Sequence, residues 1–280
     1  SMVRQRGGTA PNIAYTLALL GDRPRVMATV GEDFAEYRAW LESHNVDTTL
    51  IKAIPGIYTA SFFANTDLQN NQIASFYTGA MARAGELSVH DLVGQGVDLV
   101  VISPNDPGAM AKYAEECAEL GIPYLYDPSQ QVVRIDPDKM RAGVENAHCL
   151  FLNEYEFELL QKHTGLTKSD ILNKVDYMVV TYGKDGAVVF VGDNEYKIPT
   201  VEPKQIADPT GVGDAFRGGF LRGVQLNLDW QTCGQMGALA ASYCLEQRGT
   251  QAHYYTPAEF VARYREHFDD QGALDALLSR

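Results

Sequence analysis

The sequence predicts an α/β fold with a mostly parallel central sheet, helices on both of its faces and a small β lid. Two features carry this prediction. Short apolar runs alternate with longer segments of helical periodicity, which is typical of parallel strands joined by crossover helices. One segment, residues 46–78, interrupts the alternation. The chain has 280 residues, 45% of them hydrophobic, which is enough to bury the core of one large domain.

The alternation is clearest between residues 97 and 192. The predicted strands are VDLVVIS (97–103), IPYLYDP (122–128), HCLFLN (148–153), VDYMVVTYG (175–183) and GAVVFVG (186–192). Helical patterns occupy PGAMAKYAEECAELG (107–121) and EYEFELLQKHTG (154–165). Ligands of such sheets bind beyond the carboxyl ends of the strands, where loops lead into helices. We therefore expect the functional residues at that edge.

Residues 46–78 predict the lid. The segment is rich in Thr, Ile, Tyr and Phe, contains turn signals and lacks a helical period. We expect a few antiparallel strands that form a second layer together with residues 1–6. The alternative is a hairpin on the edge of the main sheet. Residues 1–45 and 79–280 then form the main domain, which binds nucleotide and substrate.

Composition limits the partners. The formal net charge of −13 argues against a nucleic acid, because proteins that bind nucleic acids usually carry a basic surface. The four cysteines lack CxxC spacing, so we expect buried, reduced thiols. No apolar run approaches the ~18 residues of a membrane span, and no signal-peptide pattern opens the chain. We expect a cytoplasmic protein with a small-molecule substrate and no membrane partner.

The strongest chemical signal is ADPTGVGDAFRGG, residues 207–219. Gly211 and Gly213 precede a helical pattern, so backbone N–H groups at a helix N-terminus can approach an anion closely. Asp214, at the mouth of that cradle, is placed to accept a proton from a hydroxyl that attacks a phosphate. The alternative is a tight turn with Asp214 as a helix N-cap. The spacing matches neither a Walker loop nor a dinucleotide-binding loop.

Four motifs, in the same order along the chain, resemble those of the ribokinase-like carbohydrate kinases, also called the phosphofructokinase B family. They are GGTAPNIAYTLALLG (7–21), NEYE (153–156), TYGKDG (181–186) and DPTGVGDAFRGGF (208–220). The resemblance implies a ribokinase-like fold and an ATP-dependent phosphotransferase whose acceptor is an alcohol group.

The resemblance also implies roles for individual residues. Asp214 takes the position of the catalytic base, and the backbone of Gly211, Val212 and Gly213 that of the anion hole for the transferred phosphoryl group. Asn153 and Glu156 would position Mg²⁺ and the triphosphate through water, which suits an ion that keeps its hydration. They share a face if they open the helix after HCLFLN. For Glu156 the alternative is a solvated helix residue.

Two further motifs bind ligands in the family. Thr181, Gly183 and Gly186 would run beside the phosphates of ATP, although a hairpin turn describes the same backbone. Gly7, Gly8 and Asn12 match positions on the substrate side, next to Asp214.

The first motif has an alternative structural role, and the last motif suggests a further cofactor. A structural N-cap at Thr9 or Asn12 is the alternative to substrate binding by the first motif. Asp208 and Thr210 fall near the loop that holds a monovalent cation in many relatives, so K⁺ is a further cofactor to test.

The family normally has a strand and a lid segment ahead of the paired glycines, with an aspartate that binds substrate hydroxyls. We expect these residues to be absent from this sequence, which begins SMVRQRGG. Either the chain is truncated or an upstream part is left out of the numbering. We favour the second explanation, because the sheet would otherwise lack a central strand.

The remaining segments favour a nucleoside as the acceptor. QNNQIASFYTGAM, YLYDPSQQ and EQRGTQAHYYTPAEF are similar to bacterial and archaeal adenosine or nucleoside kinases of the family. Phe63, Phe76 and Tyr77 could stack on a purine, or else fill the lid core or a dimer interface. We expect an adenosine kinase, with a kinase of ribose, fructose or a related sugar as the alternative. A non-catalytic ligand-binding protein, a structural dimerisation protein, and a monomer or lid-mediated homodimer stay open.

Overall fold

A six-stranded sheet lies at the centre of the fold in this computed structural model, which describes residues 3–66 and 72–279. The strands are β1 (Ala28–Val30), β2 (Ile51–Ala53), β3 (Ser61–Thr66), β4 (Gln72–Tyr77), β5 (Val100–Ile102), β6 (Tyr124–Tyr126), β7 (Cys149–Asn153), β8 (Tyr177–Thr181), β9 (Ala187–Val191) and β10 (Asn194–Ile198). The α-helices are α1 (Thr9–Leu19), α2 (Ala35–Ser43), α3 (Pro107–Leu120), α4 (Pro137–Glu145), α5 (Glu154–Thr164), α6 (Lys168–Leu172), α7 (Val212–Gln225), α8 (Trp230–Leu245) and α9 (Pro257–His267).

The main sheet has the order β5-β6-β7-β8-β9-β10. Strands β5 to β8 are parallel, and β9 and β10 continue the sheet in antiparallel pairs. The parallel strands are joined through helices, whereas only a short 3₁₀ turn, Gly183–Asp185, separates β8 from β9. A parallel pairing needs a longer crossover, so this connection can only be a hairpin. The predicted mostly parallel sheet is confirmed.

Helices cover both faces of the sheet. Neighbouring residues of β8 enter different cores: Tyr177 and Val179 join one hydrophobic cluster, and Met178 and Val180 join the other. Side chains alternate across a strand, so the two clusters lie on opposite faces. The first cluster draws on α1, α7, α8 and α9, and the second on α3, α4 and α5. These strands are buried on both faces, which explains their continuous apolar sequences.

Helix α7 is anchored in the first cluster by Phe220, which is fully buried. The ring centroid of Phe220 lies 5.0 Å from that of Phe151 on β7 and 5.8 Å from that of Tyr177 on β8. Helix α7 also packs along α1 and α8. The N-terminus of α7 is thereby held at the carboxyl edge of the main sheet.

The predicted lid segment contains two different structures. Strand β2 pairs with β1 in parallel, whereas β3 and β4 form an antiparallel hairpin that is a sheet of its own. The hairpin is therefore not an edge of the main sheet, and the expectation of antiparallel strands is wrong for β2. Residues 67–71, and residues 1 and 2 of the predicted lid, lie outside the described residues. The base of the hairpin is tied to the loop after β1, because the backbone N–H of Glu32 donates to the carbonyl of Ile57 at 3.0 Å.

All four cysteines are free and buried, as predicted, and burial raises the pKa of each thiol to about 12. Among the described residues, no helix is both long enough and apolar enough to span a membrane.

Candidate active site

A cavity of about 200 Å³ opens at the carboxyl edge of the main sheet, beside the N-terminus of α7. It is lined by Thr9, Asp127, Ser129, Asn153, Glu156, Thr181, Gly211, Gly213, Asp214 and Arg217. Six of these residues were singled out in the sequence as binding or catalytic: Asn153, Glu156, Thr181, Gly211, Gly213 and Asp214. Residues as far apart in the sequence as Thr9 and Asp214 meet here because they end strands, or begin helices, at the same edge of one sheet.

The first turn of α7 forms the anion cradle. Gly211 is the N-cap residue and has a φ of 81°, in the left-handed region that favours glycine. Val212, Gly213 and Asp214 are the first three residues of the helix, whose N–H groups have no partners within the helix. Asp214 is therefore not the N-cap, and the interpretation of this aspartate as a simple cap is wrong.

The side chain of Asp214 is oriented by Asn12 on α1. The Nδ2 atom of Asn12 donates to Oδ2 of Asp214 at 2.8 Å. The Oδ1 atom of Asn12 accepts from Thr250 Oγ1 at 2.8 Å and from Gln251 Nε2 at 3.0 Å. Asn12 is only 4% exposed, so in this structure its amide binds the Asp214 carboxylate and does not face an open substrate pocket. Its predicted contact with substrate stays a prediction.

The environment of Asp214 opposes its ionisation only in part. Burial raises the pKa of Asp214, while the Arg217 guanidinium and the hydrogen bond from Asn12 act to lower it. A carboxylate whose pKa is raised is, once ionised, a stronger base than a free aspartate. The group therefore has the properties of a general base.

Asn153 and Glu156 open α5, as predicted. Asn153 is the N-cap and Glu156 the third helical residue, and the two form a capping box with hydrogen bonds of 2.8 Å in both directions. The hydroxyl of Ser129 donates to Oε1 of Glu156 at 3.0 Å. These contacts fix the two side chains at the cavity, and their amide and carboxylate oxygens are of the donor type that Mg²⁺ requires.

The structure shows no preformed metal cage. Within residues 3–66 and 72–279, no group of three or more His, Cys, Asp or Glu side chains is arranged to hold a metal ion. An ion that keeps its water needs no such cage, and Mg²⁺ binding by Asn153 and Glu156 stays a prediction.

The TYGKDG motif forms the β8–β9 hairpin turn. The N–H of Tyr182 donates to the carbonyl of Gly186 at 2.8 Å, and Gly183 begins the 3₁₀ turn. Thr181 is paired with Asn153 across the parallel strands β7 and β8, which brings this motif to the cavity. The hairpin alternative is thus correct for the backbone, and contact of Thr181, Gly183 and Gly186 with ATP stays a prediction.

The first motif begins α1. Gly8 is the N-cap, with a φ of 98° and no side-chain cap, so the alternative that Thr9 or Asn12 is the N-cap is wrong. Gly7 lies beside the site, where its carbonyl accepts from the hydroxyl of Tyr37 at 2.8 Å. Thr9 lines the cavity, a position that the sequence analysis did not assign.

Asp208 connects two loops. Its Oδ1 accepts from the N–H of Thr210 at 2.9 Å and its Oδ2 from the N–H of Gly249 at 3.1 Å. Burial acts to raise the pKa of Asp208, but these hydrogen bonds outweigh it and lower the pKa. Both carboxylate oxygens thus organise the backbone ahead of α7, and cation binding by this loop stays a prediction.

Sequence reasoning missed a buried ion pair on the floor of the cavity. Arg217, on α7, grips Asp127, which follows β6, through Nε to Oδ2 at 2.7 Å and Nη2 to Oδ1 at 2.8 Å. Complete burial raises the pKa of Asp127 to about 6, and the guanidinium opposes that rise. The only signal in the sequence was a charged residue in each of two otherwise apolar or small-residue stretches, YLYDP and AFRGGF.

The lid hairpin exposes aromatic side chains on both of its faces. Phe62 lies opposite Phe76 in the register, and Ser61 lies opposite Tyr77. Opposite residues share a face, so Phe76 faces the same way as Phe62 and away from Phe63 and Tyr77. Phe63, Phe76 and Tyr77 therefore cannot all stack on one ligand.

The fold and the site together define a phosphotransferase. A helix N-terminus that can cradle a phosphate, an oriented aspartate beside it and oxygen ligands suited to Mg²⁺ all meet at the carboxyl edge of an α/β sheet. The model of the pfkB family of carbohydrate kinases matches residues 1–257. The chain belongs to this family and is a kinase.

Its relatives include nucleoside kinases. A nucleoside kinase of Methanothermobacter thermautotrophicus is 30% identical over 261 residues, which are 92% of this chain and 84% of that protein. The Burkholderia thailandensis nucleoside kinase in complex with inosine is 34% identical, with a TM-score of 0.88 over 96% of this chain and 90% of that one. Its complex with ADP-inosine is 34% identical, with a TM-score of 0.90 over 96% and 84% of the two chains.

Proposed function

We propose that this protein transfers the γ-phosphate of ATP to the primary hydroxyl of a nucleoside. The observation that carries the proposal is the Asp214 carboxylate, which Asn12 orients at the cavity beside the α7 N-terminus, whose first N–H groups have no partners within the helix. The nucleoside as acceptor is supported by the similarity to nucleoside kinases, one of which binds inosine. Adenosine is our first choice of nucleoside.

The transfer is a direct in-line displacement. Asp214 accepts the proton of the substrate hydroxyl as its oxygen bonds to the γ-phosphorus, and the bond from that phosphorus to the β,γ-bridging oxygen breaks to release ADP. The N–H groups of Gly211, Val212 and Gly213 stabilise charge on the equatorial oxygens. The lid would exclude water that could otherwise accept the phosphate.

The proposed cofactors are ATP, Mg²⁺ and K⁺. Asn153 and Glu156 would hold a hydrated Mg²⁺, which supplies positive charge to the triphosphate. Thr181, Gly183 and Gly186 would lie along the phosphates. K⁺ at the Asp208 loop would fix the backbone ahead of α7 and is tested by its effect on turnover.

The lid belongs to the same proposal. An exposed aromatic side chain of β3 or β4 would stack on the base of the nucleoside. The two strands form an isolated sheet whose unpaired edges also suit a second copy of the chain, so a monomer and a lid-mediated homodimer both remain compatible with the activity.

The test is phosphorylation of adenosine, inosine, cytidine, ribose and fructose by the wild type and by Asp214→Asn. We expect turnover of a nucleoside, and a loss of about 10² to 10⁴ in kcat for the variant, the range for general-base catalysis. ATP binding should persist, because Asp214 faces the acceptor. Asp170→Asn is the matched control: Asp170 is also the third residue of a helix and does not line the cavity.

Two results would contradict parts of the proposal. Near-normal turnover by Asp214→Asn would remove the base assignment. Turnover of a sugar alone would keep the role of Asp214 and replace the nucleoside by the sugar.

A further inference from the structure

Arg217 is the one cation among the residues that line the cavity in the described part of the chain. It is 8% exposed, and the Asp127 carboxylate that it grips is fully buried. A buried ion pair of this kind rarely contributes net stability, because desolvation offsets the attraction between the charges. Its position beside Asp214 points instead to a role in the reaction.

The geometry of the guanidinium is fixed on two sides. Nε and Nη2 are engaged by the two oxygens of Asp127. The remaining nitrogen, Nη1, lies against the first turn of α7, so close that a Cβ added to Gly213 would approach it to 2.9 Å. The residue at this position must be small because the charge of Arg217 is held directly under the turn that carries Asp214.

We infer that Arg217, held by Asp127, is a positioning residue that keeps the Asp214 carboxylate ionised and able to accept a proton. The inference rests on the proposed role of Asp214 as the general base. Arg217 acts on Asp214 through its charge, three residues along the same helix face.

The surrounding charges agree with this role. Asp214 interacts electrostatically with Arg217 on its own helix, Asp127 after β6 and the Cys244 thiol on α8. Glu156 on α5 lines the same cavity. Burial acts to lower the pKa of Arg217, but the carboxylates of Asp127, Asp214 and Glu156 outweigh it and raise that pKa. The guanidinium therefore stays charged. The negative charge of Asp127 partly cancels the positive potential that Arg217 creates at Asp214.

This arrangement predicts opposite effects for the two partners. Arg217→Gln removes the cation, so the acid limb of the pH profile of kcat should move to higher pH. Asp127→Asn keeps an acceptor for the guanidinium but removes the negative charge that compensates Arg217. The pKa of Asp214 should then fall, and the acid limb should move to lower pH. Arg217→Lys retains the charge and should leave the limb near that of the wild type. A purely structural pair would give losses of the same sign in both variants.

The experiment measures kcat from pH 5 to 9 with saturating ATP and the best acceptor of the wild type. For Arg217→Gln we expect the ratio of kcat at pH 6 to kcat at pH 9 to fall about tenfold relative to the wild type, with little change in KM. Protonation of ATP is common to every variant and cancels in this comparison. A sugar as best acceptor would end the nucleoside proposal without affecting this measurement, since Asp214 serves any alcohol.

The matched control is a second Arg–Asp ion pair. Arg265 grips Asp270 with two hydrogen bonds of 2.9 Å, and neither residue lines the cavity. Arg265→Gln and Asp270→Asn should leave the acid limb unmoved. Thermal unfolding checks that each variant folds; if Arg217→Gln does not, the sign of the shift in Asp127→Asn decides alone. An unmoved limb, or a shift of Asp127→Asn to higher pH, would overturn the inference.

Discussion

Replacement of Gly211 by alanine tests whether the first turn of α7 binds the transferred phosphoryl group. The φ of 81° places Gly211 where a side chain strains the backbone. An added Cβ would also lie 2.8 Å from both Cβ and Cγ2 of Thr250. Relief requires a shift of the α7 N-terminus or of Thr250, whose hydroxyl donates to Asn12 at 2.8 Å. Either shift moves groups that define the site.

The magnitudes follow from these two effects. The left-handed backbone costs about 1 kcal/mol for alanine, and the close contact adds about 1 to 3 kcal/mol. We expect Gly211→Ala to lower the free energy of unfolding by about 2 to 4 kcal/mol, measured by urea denaturation. Turnover should fall by about 10² to 10³, the cost of displacing a donor in an oxyanion hole.

Gly165→Ala separates the two effects. Gly165 ends α5 with a φ of 73°, but a Cβ there meets nothing within 4 Å. This variant should lose about 1 kcal/mol of stability and keep its turnover. Adding Thr250→Ser to Gly211→Ala removes the clashing Cγ2 methyl group, one of the two close contacts, and should restore part of the turnover. If Gly211→Ala matches Gly165→Ala in both stability and turnover, the anion cradle is not where we place it.

Two further predictions concern the core. Phe220→Ala should lower the free energy of unfolding by about 3 to 5 kcal/mol in urea, because a fully buried ring is lost, and Phe220→Leu should lose less; equal losses would contradict this packing account. His253 is 1% exposed, and burial lowers its pKa to about 4. Its neutral form is favoured by folding, so its contribution to stability is complete above pH 6.5 and is lost as the pH falls toward 4. Relative to His253→Phe, the wild type should therefore lose about 3 kcal/mol between pH 7 and pH 4, and a difference that does not vary with pH would refute this.

Much of the fold could be predicted from the sequence because its signals are local. The strands from β5 to β8 are apolar up to the polar residues that end β7 and β8, which marks them as buried on both faces of a parallel sheet. The pairing of β1 with β2 could not be predicted, since each has only three residues and so shows no period. For the same reason the lid was expected to be more uniform than it is.

The residues of the candidate site likewise divide into those that the sequence could identify and those that it could not. Asp214, Asn153 and Glu156 were identified because each lies in a short motif whose chemistry depends on spacing along the chain. The Arg217–Asp127 pair was missed because its partners are 90 positions apart. Contacts of that range are set by how α7 packs on the sheet, and no local pattern records them.

The orientation of Asn12 shows what such long-range contacts add. The indole N–H of Trp40, which can only donate, binds Oε1 of Gln251 at 3.1 Å. That contact leaves the Gln251 amide nitrogen to donate to Oδ1 of Asn12, which in turn leaves the Asn12 nitrogen to face Asp214. The indole N–H, which can only donate, and the Asp214 oxygen, which accepts, thus fix both amides between them. The base is oriented by a relay that begins on α2, at Trp40, and the direction of every hydrogen bond in it favours the ionised form of Asp214.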